Sequence, residues 1–172
     1  MQQSYGKLIK LTRIEKNMNQ EELCEGICTP SYLSRIENDR VVADEQIYKL
    51  LLTKLGLQYK ADTLYIEEID TQIEQWYEKV LISEQTLIDI EALRQKAGSA
   101  NDETYLKFKL VYCRHLLNLS LLTEVEQQLR IIENTIPPNN KRLHFMYTNV
   151  LVIFHYYNKK FANALEIGHQ SY

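Results

Sequence analysis

The sequence predicts an all-α protein with a bundle of short helices over residues 1–60 and longer antiparallel helix pairs over 61–172. Three observations predict this class. Helix-capping residues recur at short spacing between residues 19 and 56, longer stretches with helical apolar periodicity follow, and the chain has only 5 Gly and 3 Pro. A hydrophobic content of 45% with 25% charged residues is typical of a globular protein.

Composition excludes several classes of protein. No apolar stretch approaches the roughly 20 residues needed to cross a bilayer, and the first residues lack the basic and apolar regions of a signal peptide. Three cysteines give no disulfide framework. We therefore expect a cytoplasmic protein with reduced thiols and no membrane partner.

The first helices are defined by their ends. Leu8, Ile9, Leu11 and Ile14 indicate a helix with one buried face. The stretch 19–23 begins with an Asn cap followed by Glu at the third helical position, which imitates a capping box, and Gly26 ends this helix early. Thr29 caps the next helix and Pro30 occupies its first position. After a break at Asp39-Arg40, Asp44 is predicted to cap a helix that Gly56 terminates.

Beyond residue 61 the pattern changes to longer helices. We predict helices over 66–82, 84–97, 102–119, 122–135, 140–158 and 160–171, separated by Gly, Ser, Pro and Asn positions. The best internal match is a shift of about 36 residues, close to a tetratricopeptide period. Under this shift Leu121, Val125 and Leu129 fall on Tyr157, Phe161 and Leu165.

The segment 19–40 has the properties of a DNA-reading pair of helices. Such a pair needs an apolar interior that fixes the helix angle, small polar or basic side chains on the outer face, and phosphate contacts at the helix ends. The interior is predicted to hold Leu23, Ile27, Leu33 and Ile36. The outward, base-reading positions are Ser31, Tyr32, Ser34 and Arg35, and the helix-end positions suited to phosphate are Gln20, Thr29, Asn38 and Arg40. Arg35 is the candidate to hold guanine.

The stretches Asn19-Gln20-Glu21-Glu22-Leu23 and Tyr32-Leu33-Ser34-Arg35-Ile36-Glu37-Asn38 resemble the phage-repressor-like (xenobiotic-response-element type) helix-turn-helix domain. Most such domains carry one more residue and a Gly in the turn. The shorter turn here, Gly26-Ile27-Cys28-Thr29, is similar to that of the peptide-sensing regulators of Gram-positive bacteria, the Rgg, NprR, PlcR and PrgX group.

That resemblance implies a dimeric transcription regulator of double-stranded DNA, with tetratricopeptide-like repeats over 61–172 that bind a short signalling peptide. It also implies a structural ion pair between Arg13 and Glu37. From the residues themselves, Arg114 and Asn118 form a polar pair at i and i+4, and His144 and His155 share one helix face. The candidate peptide-contacting residues are Arg114, Asn118, His144, Tyr147, Thr148 and His155.

Other functions have weaker support. The sequence contains no phosphate loop, nucleophile elbow or zinc-binding HExxH motif, so we expect neither an enzyme nor a cofactor. Cys24, Cys28 and Cys113 are interpreted as packing residues rather than metal ligands.

Two alternatives stay open. Residues 1–60 carry 9 basic and 8 acidic side chains, and this near-neutral balance favours a protein–protein interaction module with weak or vestigial DNA binding. The final predicted helix lacks a polar cap, so the chain is either a fragment of a longer regulator or has this end covered by a second subunit.

Overall fold

The computed structural model describes residues 4–60, 62–84 and 88–170, in which helices are joined by turns and no strand occurs. The predicted all-α fold class is confirmed. No helix among these residues is long and apolar enough to span a membrane. In chain order the helices are α1 Gly6–Glu15, α2 Gln20–Cys24, α3 Pro30–Glu37, α4 Glu45–Lys54, α5 Thr63–Leu81, α6 Ile90–Ala97, α7 Asp102–Asn118, α8 Leu122–Ile132, α9 Lys141–Tyr157 and α10 Phe161–Gln170.

The chain forms two compact units, and the first comprises residues 1–71 and 89–105. Its core is made by one apolar stripe from each of the short helices, as the sequence pattern predicts. Ile14, which was expected in this core, is only half-buried. The fully enclosed side chains include Leu8, Ile9, Leu11, Leu23, Leu33, Ile36, Leu51 and Leu52.

The predicted caps of the first unit are confirmed. The Asn19 side chain accepts a hydrogen bond from the Glu22 backbone N–H at 2.8 Å, and the Glu22 carboxylate accepts one from the Asn19 N–H at 2.7 Å. The Thr29 hydroxyl oxygen accepts from the Tyr32 N–H at 3.2 Å, and Pro30 begins α3. These contacts satisfy backbone donors that have no partner inside their own helices. The starts of α2 and α3 are therefore fixed locally.

The next helix also begins and ends where the sequence indicates. The Asp44 carboxylate accepts from the Ile47 N–H at 2.9 Å at the start of α4. Gly56 follows α4 with a φ of +75°, a left-handed conformation that glycine adopts without steric cost. Gly6 is required for a different reason: a Cβ atom there would collide with the backbone carbonyl oxygen of Ile36.

The first turn of α7 holds α1 in place within the first unit. The Asp102 carboxylate accepts a hydrogen bond from the Leu8 backbone N–H at 2.7 Å, and the Tyr105 hydroxyl lies 3.0 Å from a Glu15 carboxylate oxygen. Burial raises the pKa of Asp102, although its hydrogen bonds act in the opposite direction. The compact unit thus includes residues beyond position 60, and the predicted domain boundary there stays a prediction.

The second unit comprises residues 72–88 and 106–172. Trp76 is fully buried there, with its ring centroid 5.7 Å from that of Phe108. α9 and α10 pack against each other across the turn 158–160, in which Lys159 has a φ of +59°. This helix pair is consistent with a tetratricopeptide-like repeat, and the repeat assignment itself stays a prediction.

The longer helices agree with the sequence pattern, with one clear error. The helix predicted over 84–97 begins only at Ile90, because the Asp89 side chain accepts from the Ala92 N–H at 2.9 Å and caps it there. Residues 85–87 of that predicted helix, and residue 171 of the last one, lie outside the described residues. α8 ends at Ile132, three residues before its predicted end.

Candidate nucleic-acid interface

The turn between α2 and α3 sets the direction of the second helix. Its backbone closes on the end of α2, because the Ile27 and Cys28 N–H groups both donate to the Cys24 carbonyl, at 2.9 and 3.0 Å. Gly26 has a φ of +76° with open space where a side chain would stand. Ile27, predicted to be interior, is only half-buried, since this tight turn carries it to the edge of the core.

A buried carboxylate joins the first three helices. Glu37 on α3 is 1% exposed and accepts two hydrogen bonds from the Arg13 guanidinium of α1, at 2.7 and 3.0 Å. The Gln20 side-chain amide of α2 donates to the same carboxylate at 2.8 Å. Arg13 donates further to the Met18 carbonyl at 2.9 Å. The implied Arg13–Glu37 ion pair is confirmed, and it fixes α3 relative to its neighbours.

The outer face of α3 is open to solvent. Ser31 and Arg35 are exposed, whereas Tyr32 and Ser34 are half-buried at its edges. Leu33 and Ile36 on the opposite side are buried, so α3 presents one apolar and one polar face. An amphipathic helix with a free polar face of this kind is what the major groove admits.

The helix-end residues differ in whether their side chains are already hydrogen-bonded within the chain. Thr29 and Arg40 are exposed, and the Thr29 hydroxyl can still donate a hydrogen bond while its oxygen caps α3. Gln20 is engaged with Glu37, and Asn38 both donates to the Ser34 carbonyl and accepts from Lys10. Sequence reasoning did not foresee the bonds of Gln20 to Glu37 and of Lys10 to Asn38, because they depend on contacts between separate helices, whereas the Asn38–Ser34 bond is local to the end of α3.

The described part of this unit carries both cations without an ion pair and an acidic hollow. Among the described residues, neither Arg35 nor Arg40 forms an ion pair, so both guanidinium groups are available to an anionic partner. Three glutamate side chains lie around a hollow of 460 Å³ beside α2. Its walls are Glu21, Glu22, Cys24, Glu25, Cys28 and Pro30. Burial raises the pKa of the Cys28 thiol. A phosphate is repelled from the acidic hollow and attracted to the two arginines.

Comparison with known proteins agrees with this geometry. Residues 9–59 match the family described as Helix-turn-helix. Within the matched residues, α2 and α3 stand where the two paired helices of such a domain stand.

A second match covers most of the chain. The chain is 26% identical over 147 residues to the Transcriptional activator NprA of Geobacillus stearothermophilus, a match that covers 84% of this chain and 36% of the relative. The chain therefore spans about a third of that relative's length. No solved structure matches the chain. The two matches confirm the predicted resemblance to transcription regulators with an N-terminal helix-turn-helix domain.

The candidate peptide residues belong to α7 and α9 of the second unit. The Asn118 amide donates to the Val80 carbonyl at 2.7 Å and accepts from Arg114, so it ties α7 to the end of α5. The Arg114 Nε is buried and has no hydrogen-bond partner among the described residues.

The candidates on α9 have different environments. Tyr147 is half-buried, and burial raises its pKa to about 12. His155 is also half-buried, burial lowers its pKa, and its Nδ1 has no partner within the described part of the chain. His144 is exposed and Thr148 is half-buried.

A cluster of charged residues in the second unit was not predicted from the sequence. Glu74 on α5 pairs with Lys107 at 3.4 Å and with Arg142 at 2.9 Å, and the Arg142 guanidinium lies 5.6 Å from the Tyr77 ring. The charge of Arg114 also acts on Tyr77, which places this arginine near the same group. These residues are separated widely in sequence, so no local pattern could have joined them.

Metal binding finds no support in the described residues. They contain no group of three His, Cys, Asp or Glu side chains placed to hold an ion. Cys24 and Cys113 are buried, as the sequence interpretation expects, and burial raises the pKa of Cys113 to about 12. A thiol held in its neutral form is a poor metal ligand.

Proposed function

We propose that this chain is a sequence-specific DNA-binding transcription regulator, in which α3 enters the major groove. The observation that carries the proposal is the capped, solvent-facing α3, whose outer face offers Ser31 and Arg35 while Glu37 anchors its inner face. The match of residues 9–59 to the helix-turn-helix family supports it.

Each outward residue has a distinct role in this proposal. Arg35 holds guanine through O6 and N7, a contact worth about 1–3 kcal/mol of discrimination. Arg40 and the Thr29 hydroxyl contact phosphate oxygens, which position the domain without reading sequence. Gln20 contributes indirectly as well, since its bond to Glu37 holds α2 against α3.

Selection of bound sequences from a random double-stranded DNA pool tests the proposal. We expect one enriched motif, a relaxed preference at one base pair for Arg35→Ala, and a similar loss at all sites for Gln20→Ala. Arg130→Ala is the matched control, because Arg130 is an exposed arginine of the second unit paired with Glu126. No enrichment by the unaltered chain would refute sequence-specific binding, and a uniform loss for Arg35→Ala would make it a backbone contact.

We further propose that a short peptide bound by the second unit gates this activity. The support is the half-buried Arg114, which acts on Tyr77 together with Arg142, a residue that shares the Glu74 carboxylate with Lys107. An arginine guanidinium is suited to a peptide carboxylate, which it can hold through two parallel hydrogen bonds. Gating requires that the peptide bind one conformer of the chain more tightly than another.

A pool of short synthetic peptides tests the gating proposal. Peptides retained on the immobilised chain are identified, and the retained sequences are then added to the DNA-binding assay. Arg114→Ala should abolish retention, whereas Arg130→Ala should leave it unchanged. Retention that persists in Arg114→Ala, or a retained peptide that leaves DNA affinity unchanged, argues against this part of the proposal.

The second candidate function is a protein–protein interaction module. It is favoured by the near-neutral charge of residues 1–60 and by the acidic hollow beside α2. A titration of DNA affinity against salt separates the two functions. Several phosphate contacts give a steep fall of affinity with salt, and a flat response favours the interaction module.

A further inference from the structure

Two cysteines lie at the two ends of the turn that precedes α3. Cys24 ends α2 and is 2% exposed, whereas Cys28 is half-buried and directly precedes Thr29, the cap of α3. The Cys28 N–H donates to the Cys24 carbonyl at 3.0 Å. A bond between residues four positions apart closes one turn of chain, as in an α-helix, and brings their Cα atoms to about 6 Å. That separation lies within the range of about 4.4–6.8 Å that a disulfide bridges.

The two thiols also share one cavity. Both cysteines line the 460 Å³ hollow beside α2. Burial, and after it the neighbouring Cys24, raises the pKa of the Cys28 thiol, so the two groups lie close enough to act on each other. The Cys24 thiol donates to the Glu21 carbonyl at 3.6 Å, a weak bond that does not hold it away from Cys28. Cys28 is the more exposed thiol and the first that a reagent from solvent meets.

The rim of the same hollow is negatively charged. Glu21, Glu22 and Glu25 are exposed there, and the Lys54 ammonium, 4.0 Å from the Glu25 carboxylate, offsets only one of the three charges. A negative rim raises the local concentration of cations and lowers that of anions. A reagent that carries ammonium groups is therefore favoured at these thiols over one that carries carboxylates.

We propose that Cys24 and Cys28 are a dithiol that a cationic low-molecular-weight disulfide oxidises to an intramolecular disulfide. The Cys28 thiolate attacks one sulfur of the reagent, whose S–S bond breaks and releases one thiol with the proton of Cys28. The Cys24 thiolate then attacks the Cys28 sulfur, and the second thiol leaves with the proton of Cys24. Two protein thiols are oxidised and one small disulfide is reduced to two thiols, so electrons and protons balance.

The new bond acts on α3 because Cys28 adjoins its cap. Bringing the two sulfurs to bonding distance moves Cys28 toward the core, where Cys24 lies, and Thr29 moves with it. The Thr29 hydroxyl oxygen then loses its alignment with the Tyr32 N–H, which lies at 3.2 Å in the reduced chain. This effect on α3 matters for DNA only if the proposed function holds, whereas the disulfide itself does not depend on it.

Counting the free thiols of the whole chain tests the dithiol. The chain is treated with cystamine, a disulfide with two ammonium groups, and the denatured product should contain one free thiol instead of three. Peptide mass mapping should place the bond between Cys24 and Cys28. Cys28→Ser should prevent the bond, whereas Cys113→Ala, the matched control in the second unit, should still form it.

Three outcomes overturn the dithiol. They are three free thiols after treatment, a mixed disulfide at Cys28 that Cys24 does not displace, and a bond between two chains. Circular dichroism of the reduced proteins checks that Cys28→Ser keeps the helix content of the unaltered chain.

A second reagent measures the preference for cations. Glutathione disulfide carries a net negative charge, and it should oxidise the folded chain at least about tenfold more slowly than cystamine, after each rate is divided by the rate with the urea-unfolded chain. High salt should reduce this difference, and so should Glu21→Gln. Glu124→Gln, at an exposed glutamate in the first turn of α8, is the matched control and should preserve it. Equal corrected rates for the two reagents would refute the role of the acidic rim.

DNA binding is measured separately, so that the two proposals can fail independently. The oxidised chain should bind a selected DNA site at least about fivefold more weakly than the reduced chain, which is the factor that corresponds to the loss of a helix cap. Dithiothreitol should restore the affinity, and cystamine should not change the affinity of Cys28→Ser. An unchanged affinity after the disulfide forms refutes the effect on α3. If the disulfide forms and no DNA motif is selected, only the regulator proposal fails.

Discussion

The Arg13 guanidinium and the Glu37 carboxylate face each other across α1 and α3, with paired contacts of 2.7 and 3.0 Å. The side chain of Glu37 is 1% exposed and that of Arg13 is 12% exposed. Gln20 adds a third donor to the same carboxylate. These contacts of Glu37 on the inner side of α3 therefore fix the direction in which its outer face points.

We predict that Arg13→Ala lowers the free energy of unfolding by about 3–5 kcal/mol. The loss is large because the substitution leaves the buried Glu37 carboxylate without its cation, and an unpaired buried charge is costly. Urea unfolding of the whole chain, followed by circular dichroism, measures it. Arg13→Lys should lose less, since it keeps the charge but not the paired geometry.

Arg94→Ala provides the control for that prediction. Arg94 also pairs with a carboxylate in two contacts, but its side chain is 40% exposed and that of Glu91 is 60% exposed. Solvent screens such a pair, so we expect a loss below about 1 kcal/mol. Equal losses for Arg13→Ala and Arg94→Ala would contradict a special role for the buried contact.

Thr29→Ala should destabilise the chain by about 1 kcal/mol, because the Tyr32 N–H loses its capping oxygen. Thr29→Asp should restore the stability, since a carboxylate caps a helix well. The same variant should bind DNA less tightly than the unaltered chain, because the new charge faces phosphate. Urea unfolding and fluorescence anisotropy with a selected DNA site give the two readings.

Thr53→Ala is the matched control, because Thr53 is exposed near the end of α4 and caps no helix start. It should change neither reading. If Thr29→Asp recovers stability and also binds DNA normally, Thr29 does not lie near a phosphate.

The fluorescence of Trp76 should fall as pH is lowered, with a midpoint below 6.5. Burial lowers the pKa of His115 from its ordinary value of 6.5, and its ring centroid lies 5.7 Å from that of Trp76, the single tryptophan of the chain. A protonated imidazole in contact quenches an excited indole. Because the folded state disfavours this proton, the stability that neutral His115 contributes is present above pH 6.5 and is lost as pH falls.

His115→Gln should remove that pH-dependent change, whereas His144→Gln, which alters an exposed histidine, should preserve it. A titration that survives His115→Gln would assign the quenching to another group. A flat profile in the unaltered chain would place the imidazole outside contact with the indole.

The starts of α2, α3 and α4 were predictable because each depends on a cap between residues three positions apart. A cap such as Asn19 with Glu22, or Thr29 with the Tyr32 backbone, forms as soon as its own helix does. The start of α6 was predicted wrongly because its cap was not recognised in the sequence. Apolar periodicity placed it at residue 84, while the Asp89 cap places it at Ile90.

By itself the sequence determined the all-α class, the two capped helices over residues 19–38 and the solvent-facing Ser31 and Arg35, because short-range caps and helical periodicity fix these features. Tertiary structure alone decided that the Gln20 amide bonds to Glu37. It also decided that Glu74 forms ion pairs with both Lys107 and Arg142, and that Tyr156 and Phe161 share one exposed surface. The physical reason is distance along the chain: contacts between separate helices depend on how those helices pack, and no local pattern encodes that packing.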